Sequence, residues 1–492
     1  MKEHILSLII FLPFFTALFM GIIRADAKQL KIGALFSSIV TFLLVLWMAS
    51  HFDFSLGMQF IENAPWIENL GIRYFIGVDY LSLTVLLLIT LLMPPLYIYM
   101  YHETRKGYWY NMMLLQTGVT GAVLSLDLML FYLFWETMLL PIFIMIGKYG
   151  NGIKDYNAMK IILMTVLGSM SMLFSIMYIG YIYFETVGVW SFALNDLMTL
   201  SFHPKTTLWL ASGFLLAFAI KIPIVGFHTW MAPAYASSPT PAVVIMSAIM
   251  AKLGIYGIWR FGFSLFDETL LYYAPSIIIM TLIGVIYYAI RAIKEDNLRK
   301  MFAFSSGSHL SLIALGLFVA NIYSWSGSLY LIATHALASA GIFIMIGLTY
   351  KRFKTVNISE LGGIASTAPI FSFFFMFFAL CIAGLPGTGG FVAELLIIIG
   401  AFKLNLWVGI FTATTMLSAM LYIFWMLQRV LFGTPNNTMV YEDLTLREVI
   451  LLLPLVILLV VSGIAPSLFT PFFEIPLTQA LQPLLLLSEG LK

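Results

Sequence analysis

Apolar runs of about 20 residues recur along the whole 492-residue chain. A run of that length is what an α-helix needs to cross the hydrocarbon core of a bilayer. The composition agrees, because 61% of the residues are hydrophobic and only 10% are charged, whereas soluble domains usually carry about 25% charged residues. The sequence therefore predicts an all-α polytopic membrane protein.

The apolar runs predict fourteen transmembrane helices. The first run has no small-residue cleavage site and is long enough to span, so it is interpreted as a helix rather than a signal peptide. The longest loop, at 51–78, is too short for a folded soluble domain. The predicted spans lie near residues 5–23, 32–50, 79–101, 110–126, 128–147, 158–184, 206–227, 240–262, 273–293, 300–320, 325–350, 368–402, 405–432 and 448–470.

Lysine and arginine residues are distributed unequally between the two sets of loops. Loops on one side contain 17 of the 25, loops and ends on the other side contain six, and Lys221 and Lys252 lie inside spans. Because cytoplasmic loops carry the excess of basic residues, the richer side is predicted to be cytoplasmic. Both termini are then expected outside the cytoplasm, in a multi-pass protein of a bacterial cytoplasmic (inner) membrane.

Two predicted helices are interrupted near an ionisable residue. The seventh contains Lys221 with Pro223 two residues later, and the twelfth contains the segment LPGTGGF at 385–391, followed by Glu394. A lysine near the bilayer centre costs about 2.5–3.5 kcal/mol on insertion scales, and a mid-helix proline costs about 3 kcal/mol. Paired broken helices are typical of transporters built from inverted repeats, with ion sites near the midplane. Lys221 is expected at the C-terminal end of one half-helix and Glu394 at the N-terminal end of another.

Further ionisable residues lie inside the spans. Glu136 has an apolar turn on both sides, and Lys252 is about a dozen residues from either end of its helix. Glu136 is either a protonated, hydrogen-bonded glutamate or a carboxylate paired with a buried lysine, with Lys221 the obvious partner. Burial favours the neutral form of an amine, which would make Lys252 a proton carrier. A line of titratable groups at membrane depth predicts a proton relay, with these six members: Glu136, Lys221, Lys252, His309, His335 and Glu394.

The histidines and the cysteine are less informative. His309 and His335 are each as consistent with a satisfied core histidine as with a relay, and His228 with a structural cap as with a relay member. The single cysteine, Cys381, excludes an intrachain disulfide, a Cys-rich zinc site and an iron–sulfur cluster held by this chain alone. No metal site and no nucleic-acid partner are predicted.

The motifs around these residues resemble those of one family. They are FWETMLLP around Glu136, IKIPIVGFHTW around Lys221, AKLGIYGIWRF around Lys252, NLRKMFAFSSGSH and THALASAGIF around His309 and His335, and LPGTGGFVAE around Glu394. In this order they resemble the antiporter-like subunits of proton-pumping NADH:quinone oxidoreductase, complex I. The glutamate at position 394 is similar to that of the M-type subunits, called subunit 4 in mitochondria, where sister L and N subunits carry lysine.

The resemblance implies fourteen helices with two inverted five-helix repeats. The implied organisation is helices 1–3 at residues 1–109, a first repeat of helices 4–8 at 110–262, a second repeat of helices 9–13 at 263–432, and helix 14 with a tail at 433–492. It also implies that Glu136 and Lys221 are a coupled ion pair, Lys252 the central relay group, His309 and His335 connecting groups, and Glu394 the terminal proton site.

The resemblance further implies that the redox chemistry takes place elsewhere. FMN, iron–sulfur clusters and quinone would be bound by other subunits, with no cofactor on this chain, and the neighbours would be other membrane-arm subunits of L and N type. One departure concerns the segment after helix 7, where the family usually reads HTWLPDAH and this chain has HTWMAPAY, ending in Tyr235.

Three functions therefore remain open at the level of sequence. The first is a proton-translocating subunit of respiratory NADH:quinone oxidoreductase. The second is a subunit of a multi-subunit cation/proton antiporter or of a membrane-bound hydrogenase, because these share Glu136, Lys221 and Lys252. The third is a membrane scaffold that does not pump, against which the cost of six interior ionisable groups argues.

Overall fold

The computed structural model describes residues 4–435, 442–470, 474 and 477–482, and this part of the chain is predominantly helical. Most of the predicted C-terminal tail, and with it the predicted side of the C-terminus, lies outside the described residues. The helices are α1 (Ile5–Ile22), α2 (Ala27–Ala49), α3 (Tyr80–Tyr99), α4 (Lys106–Leu124), α5 (Leu128–Thr137), α6 (Leu139–Tyr149), α7 (Lys154–Val187), α8 (Leu194–Leu197), α9 (Pro204–Lys221), α10 (Met231–Ser237), α11 (Thr240–Ile245), α12 (Ala251–Gly257), α13 (Phe263–Ile293), α14 (Leu298–Val319), α15 (Ile322–Phe353), α16 (Pro369–Ile382), α17 (Gly389–Leu404), α18 (Leu406–Val430) and α19 (Leu446–Ile464).

Among the described residues, ten helical stretches are long and apolar enough to cross a membrane. Their outward faces carry large hydrophobic side chains such as Phe15, Leu163 and Leu421, which suits contact with lipid. The chain is a multi-pass membrane protein, as predicted.

The segment predicted as the longest loop contains an antiparallel hairpin. Strand β1 (Gln59–Ile67) pairs with β2 (Ile72–Val78), and Gly71 turns the chain between them with a left-handed φ of 65°. Hydropathy reading missed this hairpin because it lies between the apolar runs. Asp79 follows β2 directly and caps α3 by accepting a hydrogen bond from the Ser82 amide.

Both predicted helix breaks are present. α9 ends at Lys221 and helical structure resumes at Met231; α16 ends at Ile382 and α17 begins at Gly389. In the second break Gly384 and Gly387 have φ of 76° and 89°, a region that glycine enters without strain. Lys221 is the last residue of its helix, as expected, whereas Glu394 lies in the second turn of α17 rather than at its first residues.

The helical stretch that carries Lys252 is itself irregular. π-helical turns at Met246–Met250 and Ile258–Gly262 flank the seven-residue helix α12. Such turns are rare and occur frequently at functional sites. Neither hydropathy nor residue type in this stretch predicts them.

The chain divides into two compact units. Of the residues that the structure describes, the first comprises 4–221 and 253–273, and the second comprises 222–252, 274–435, 442–470, 474 and 477–482. Within the first unit, α7 and α9 approach closely at Gly168, where a Cβ would lie 3.0 Å from Ala217 Cα. Small residues of this kind allow helix backbones to meet inside a membrane.

The second unit is built around α14, in which every residue except Lys300 is buried. Helix α15 packs on α17 at Gly327, where an added Cβ would lie 2.7 Å from the Ala393 carbonyl oxygen. This close approach brings the turn that carries Glu394 against the helix that carries His335.

Candidate functional site

Lys252 is buried, with only 1% of its surface exposed, in the second unit. Its Nζ donates a hydrogen bond of 2.5 Å to the Ser247 carbonyl oxygen and lies 2.9 Å from Nδ1 of His335. The acceptor carbonyl belongs to the π turn, so the irregular backbone supplies a ligand for the amine. Lys252 thus has a polar setting despite its apolar sequence neighbours.

His309 and Glu394 form a second contact in the same unit. His309 Nε2 lies 3.2 Å from Glu394 Oε1, and each side chain is 1% exposed. This is ion-pair distance, although the ring N–H direction falls outside hydrogen-bond geometry. On the other side of the ring, Nδ1 lies 2.9 Å from the Ser305 carbonyl oxygen.

The contacts constrain where the protons sit. A carbonyl oxygen only accepts, so His309 Nδ1 carries a hydrogen, and Nε2 is the ring nitrogen that faces Glu394. His335 Nδ1 faces the Lys252 amine, so a neutral His335 that accepts from Lys252 carries its hydrogen on Nε2. In each pair, a group that can carry a proton lies within 3.2 Å of a group that can accept it.

The two pairs lie next to each other. The His309 and His335 ring centroids are 5.1 Å apart, and both rings line a small cavity of about 10 Å³ together with Glu394 and Cys381. Three atoms of the residues at this cavity have no hydrogen-bond partner within the described structure: His309 Nε2, His335 Nε2 and Glu394 Oε2. A cavity of this size has room for about one water molecule. Four of the predicted residues, Lys252, His335, His309 and Glu394, are thus brought together.

Glu136 and Lys221 belong to the first unit. Lys221 is buried with its Nζ 4.7 Å from the centre of the Trp135 ring. Glu136 is half-buried beside Ser169, whose hydroxyl donates to the Val166 carbonyl oxygen. The two charges interact electrostatically, but they are not among the direct ion pairs found in the described residues. Glu136 Oε1 and Lys221 Nζ each have no hydrogen-bond partner there.

His228 lies in the break after α9 and is partly exposed. Its Nε2 is 3.0 Å from the Tyr287 hydroxyl, and its Nδ1 accepts from the Gly226 amide. These contacts suit a residue that shapes the break, and a relay role for His228 stays a prediction.

Sequence reasoning missed a buried ion pair in the first unit. Arg260, predicted near the end of its span and on the outer side, is buried and pairs with Asp79 while also bonding to the Tyr256 hydroxyl. The Arg260 guanidinium and the amide and hydroxyl of Ser82 offset the cost of burying the Asp79 carboxylate. The apolar residues on both sides of Arg260 were the signal that it is interior.

Tyr422 was also missed. It is buried, and its hydroxyl lies 2.8 Å from Ser305 Oγ, next to the carbonyl that contacts His309. Nothing in the local sequence distinguishes Tyr422 from a packing residue. In the described part of the chain no group of three or more His, Cys, Asp or Glu side chains is placed to hold a metal ion.

Known proteins match nearly the whole length of the chain. Residues 125–420 match the family described as NADH:quinone oxidoreductase/Mrp antiporter, TM. NADH-ubiquinone oxidoreductase chain 4 of Marchantia polymorpha is 34% identical over 94% of both chains, and NADH-quinone oxidoreductase subunit M of Rhodobacter capsulatus is 34% identical over 95% of this chain and 94% of its own.

A solved structure shares the fold. A chain in the structure of respiratory complex I from Thermus thermophilus with bound NADH superposes with a TM-score of 0.86, at 24% identity, over 99% of this chain and 100% of that chain. The long sequence matches and the matching profile are sufficient to assign the family. The chain belongs to the transmembrane NADH:quinone oxidoreductase/Mrp antiporter family.

Proposed function

We propose that this chain is a proton-translocating membrane subunit of an NADH:quinone oxidoreductase, of the M type. The observation that carries the proposal is a series of three buried contacts. They join Lys252 to His335, the His335 ring to the His309 ring, and His309 to Glu394. The names of relatives that match nearly the whole chain support the same reading. A scaffold would have no use for four adjacent buried titratable groups.

The proposed chemistry is proton transfer without a cofactor on this chain. Protonated Lys252 gives a proton to His335 Nδ1 while His335 releases the proton on Nε2, so the imidazole returns to a neutral state with its hydrogen moved from one nitrogen to the other. The hydrogen of His335 returns to Nε2 when the ring rotates or when a proton passes back, and the residue is then ready for the next transfer. The proton that His309 and Glu394 share can then pass to Glu394 as the terminal group.

One water molecule would complete the path in the second unit. It would lie in the cavity between the two histidines and accept from His335 Nε2 while donating to Glu394 or to His309. Water of this kind satisfies polar atoms that are otherwise buried without a partner. A proton could then move from Lys252 to Glu394 by exchange of hydrogen bonds through the two histidines and this water molecule.

Glu136 and Lys221 are proposed to control the transfer. Contact between a carboxylate and an ammonium stabilises the protonated amine, and separation favours release of its proton. The two groups interact through space without touching, so a small displacement of α5 or α9 would change their coupling. His228, in the break after α9, is proposed as a further member of the relay.

The complete reaction would require other subunits. The chain contributes to enzyme activity only as a subunit, and FMN, iron–sulfur clusters and quinone would be bound elsewhere. Its partners would be other membrane-arm subunits, with L-type and N-type neighbours. The alternative within the same family, a subunit of an Mrp-type cation/proton antiporter, would use the same buried groups without redox partners.

The proposed topology has fourteen crossings, with two inverted repeats at 110–262 and 263–432 between N-terminal helices at 1–109 and a last helix with its tail at 433–492. The helix bounds support this count when α5–α6, α9–α10, α11–α12 and α16–α17 are each taken as one interrupted span and the short α8 is left out. The distribution of lysine and arginine supports termini outside the cytoplasm.

The test is proton pumping by membrane vesicles that contain the assembled complex. Lys252→Ala should leave the complex assembled and abolish NADH-driven proton uptake, because no other group occupies the position between Ser247 and His335. Lys403→Ala is the matched control, since Lys403 is exposed at the end of α17, and it should pump normally. Normal pumping by an assembled Lys252→Ala complex would refute the proposed function.

A further inference from the structure

The break between α16 and α17 lies against the end of α19. Gly463, in the last turn of α19, contacts the break backbone to backbone, since a Cβ at this position would overlap the carbonyl group of Gly387 and Cα of Thr388. One residue earlier, Ser462 faces the first residue of α17, because a Cβ on Gly389 would overlap the Ser462 side chain. The absence of a side chain at position 463 therefore permits direct contact between α19 and the break.

A hydrogen bond from α15 secures this end of α19. The Tyr330 hydroxyl donates to the Ser462 carbonyl oxygen at 2.6 Å, and both residues are buried. In a continuous helix that carbonyl would accept from the amide four residues later, but Pro466 has no N–H. Tyr330 supplies the donor that the following residues lack, and so it holds Ser462 and Gly463 against α15.

Helix α15 is attached to α19 at its other end and to α17 as well. Arg352 of α15 donates to the two carboxylate oxygens of Glu448, at the start of α19, over 3.2 and 2.7 Å. Gly327 of α15 meets the carbonyl of Ala393, the residue before Glu394. The start of α17 is therefore enclosed by two helices that are bonded to each other.

The position of Glu394 depends on where α17 begins, because Glu394 follows Gly389 by five residues in the same helix. Its Oε1 lies 3.2 Å from His309 Nε2. Its Oε2 faces the break, where a Cβ on Gly384 would lie 3.1 Å away. A displacement of about 1 Å at the start of α17 would take Oε1 beyond hydrogen-bond distance of His309.

We propose that Gly463 is a positioning residue for proton transfer, because the contact of α19 with the break keeps Glu394 at transfer distance from His309. This inference rests on the proposed function. It extends that function to α19, a helix that contains none of the six predicted relay residues.

The decisive variant is Gly463→Ala. The added methyl group would displace the break by about 1 Å, since non-bonded carbon atoms stay about 3.5–4.0 Å apart. A misplacement of that size can slow a reaction between positioned groups about 100-fold, so proton pumping by vesicles with equal amounts of assembled complex should fall at least about tenfold. Alanine favours a helix more than glycine does, so α19 itself is not weakened.

A second measurement distinguishes positioning from a general loss of structure. The carboxyl band of Glu394 in the infrared spectrum of the purified complex is identified as the band that is lost in Glu394→Gln. Gly463→Ala should shift this band, because the distance between the carboxyl group and His309 changes. A complex that is merely less stable would keep the band in place.

Gly21→Ala is the matched control. Gly21 lies in the last turn of α1, and a Cβ there would meet no atom within 4 Å. Both pumping and the Glu394 band should be unchanged. Tyr330→Phe is a second variant that adds no volume. It removes the donor to Ser462, and it should shift the Glu394 band in the same complex even if Gly463→Ala prevents assembly.

The outcomes separate this inference from the proposed function. Normal pumping by an assembled Gly463→Ala complex, or a loss of pumping with the Glu394 band unshifted, would overturn the positioning role. If Gly463→Ala does not assemble, an unshifted band in Tyr330→Phe would overturn it and a shifted band would support it. If Lys252→Ala abolishes pumping while Gly463→Ala pumps normally, only this inference fails; if Lys252→Ala pumps normally, the proposed function itself fails.

Discussion

Nζ of Lys252 lies 2.9 Å from Nδ1 of His335, while the same amine donates to the carbonyl oxygen of Ser247. The lysine therefore faces a fixed dipole on one side and a titratable ring on the other. A carbonyl can hold the ammonium form but cannot take its proton, whereas the imidazole can. This asymmetry gives proton release from Lys252 a direction, toward His335 and the cavity beside it.

Glu394 is the first test of that direction. Glu394→Ala should abolish pumping, because His309 would lose the group with which it shares a proton. Glu394→Lys should retain more activity than Glu394→Ala, since an amine in this buried position can also bind and release a proton. Pumping rates of vesicles with equal amounts of complex decide the matter, and equal losses in both variants would count against a titratable group as the sole requirement.

Glu136 tests the proposed control of transfer. Glu136→Gln keeps the shape of the side chain beside Ser169 but removes the charge that acts on Lys221. The complex should assemble and should lose pumping. Glu185→Gln, on the exposed side of α7, is the matched control and should have no effect. A Glu136→Gln complex that pumps like the unchanged protein would show that charge at this position is dispensable.

Much of the fold follows from hydropathy because a bilayer leaves a chain few choices. Every backbone group must be bonded within the membrane, so long apolar runs become helices. The two helix breaks were also predictable from local sequence, because Pro223 and the segment with Gly384 and Gly387 disfavour a continuous helix. The hairpin at 59–78 was missed, since outside the apolar runs hydropathy carries no information about pairing between strands.

The site was predictable in its members but not in its contacts. An ionisable side chain inside an apolar run is costly enough to be noticed, and this identified Lys252, Glu394 and both interior histidines. That Lys252 contacts His335 depends on the π turn at Met246–Met250, which has no sequence signature. Arg260 was misplaced by reading its helix as ending there, when a second π turn continues it.

Asp127 lies outside the predicted spans and makes the stability of the folded protein depend on pH. It is fully buried just before α5, where its carboxylate accepts from the amides of Met129, Leu130 and Arg73. Burial raises the pKa of Asp127 to about 6 in spite of these bonds and of the nearby Arg73 charge. The folded protein thus holds this proton in a pH range where the unfolded chain has released it.

The direction in which stability changes with pH follows from this difference in pKa between the folded and unfolded protein. The stabilisation from the protonated form is complete below the ordinary pKa of 3.8 and is lost as the pH rises through about 6. Asp127→Asn cannot titrate but still caps the helix, so its stability relative to the unchanged protein should increase between pH 4 and pH 7 by roughly 3 kcal/mol at most. Thermal midpoints of both purified proteins across that range measure the change. A stability difference that is the same at every pH would mean that Asp127 does not titrate there.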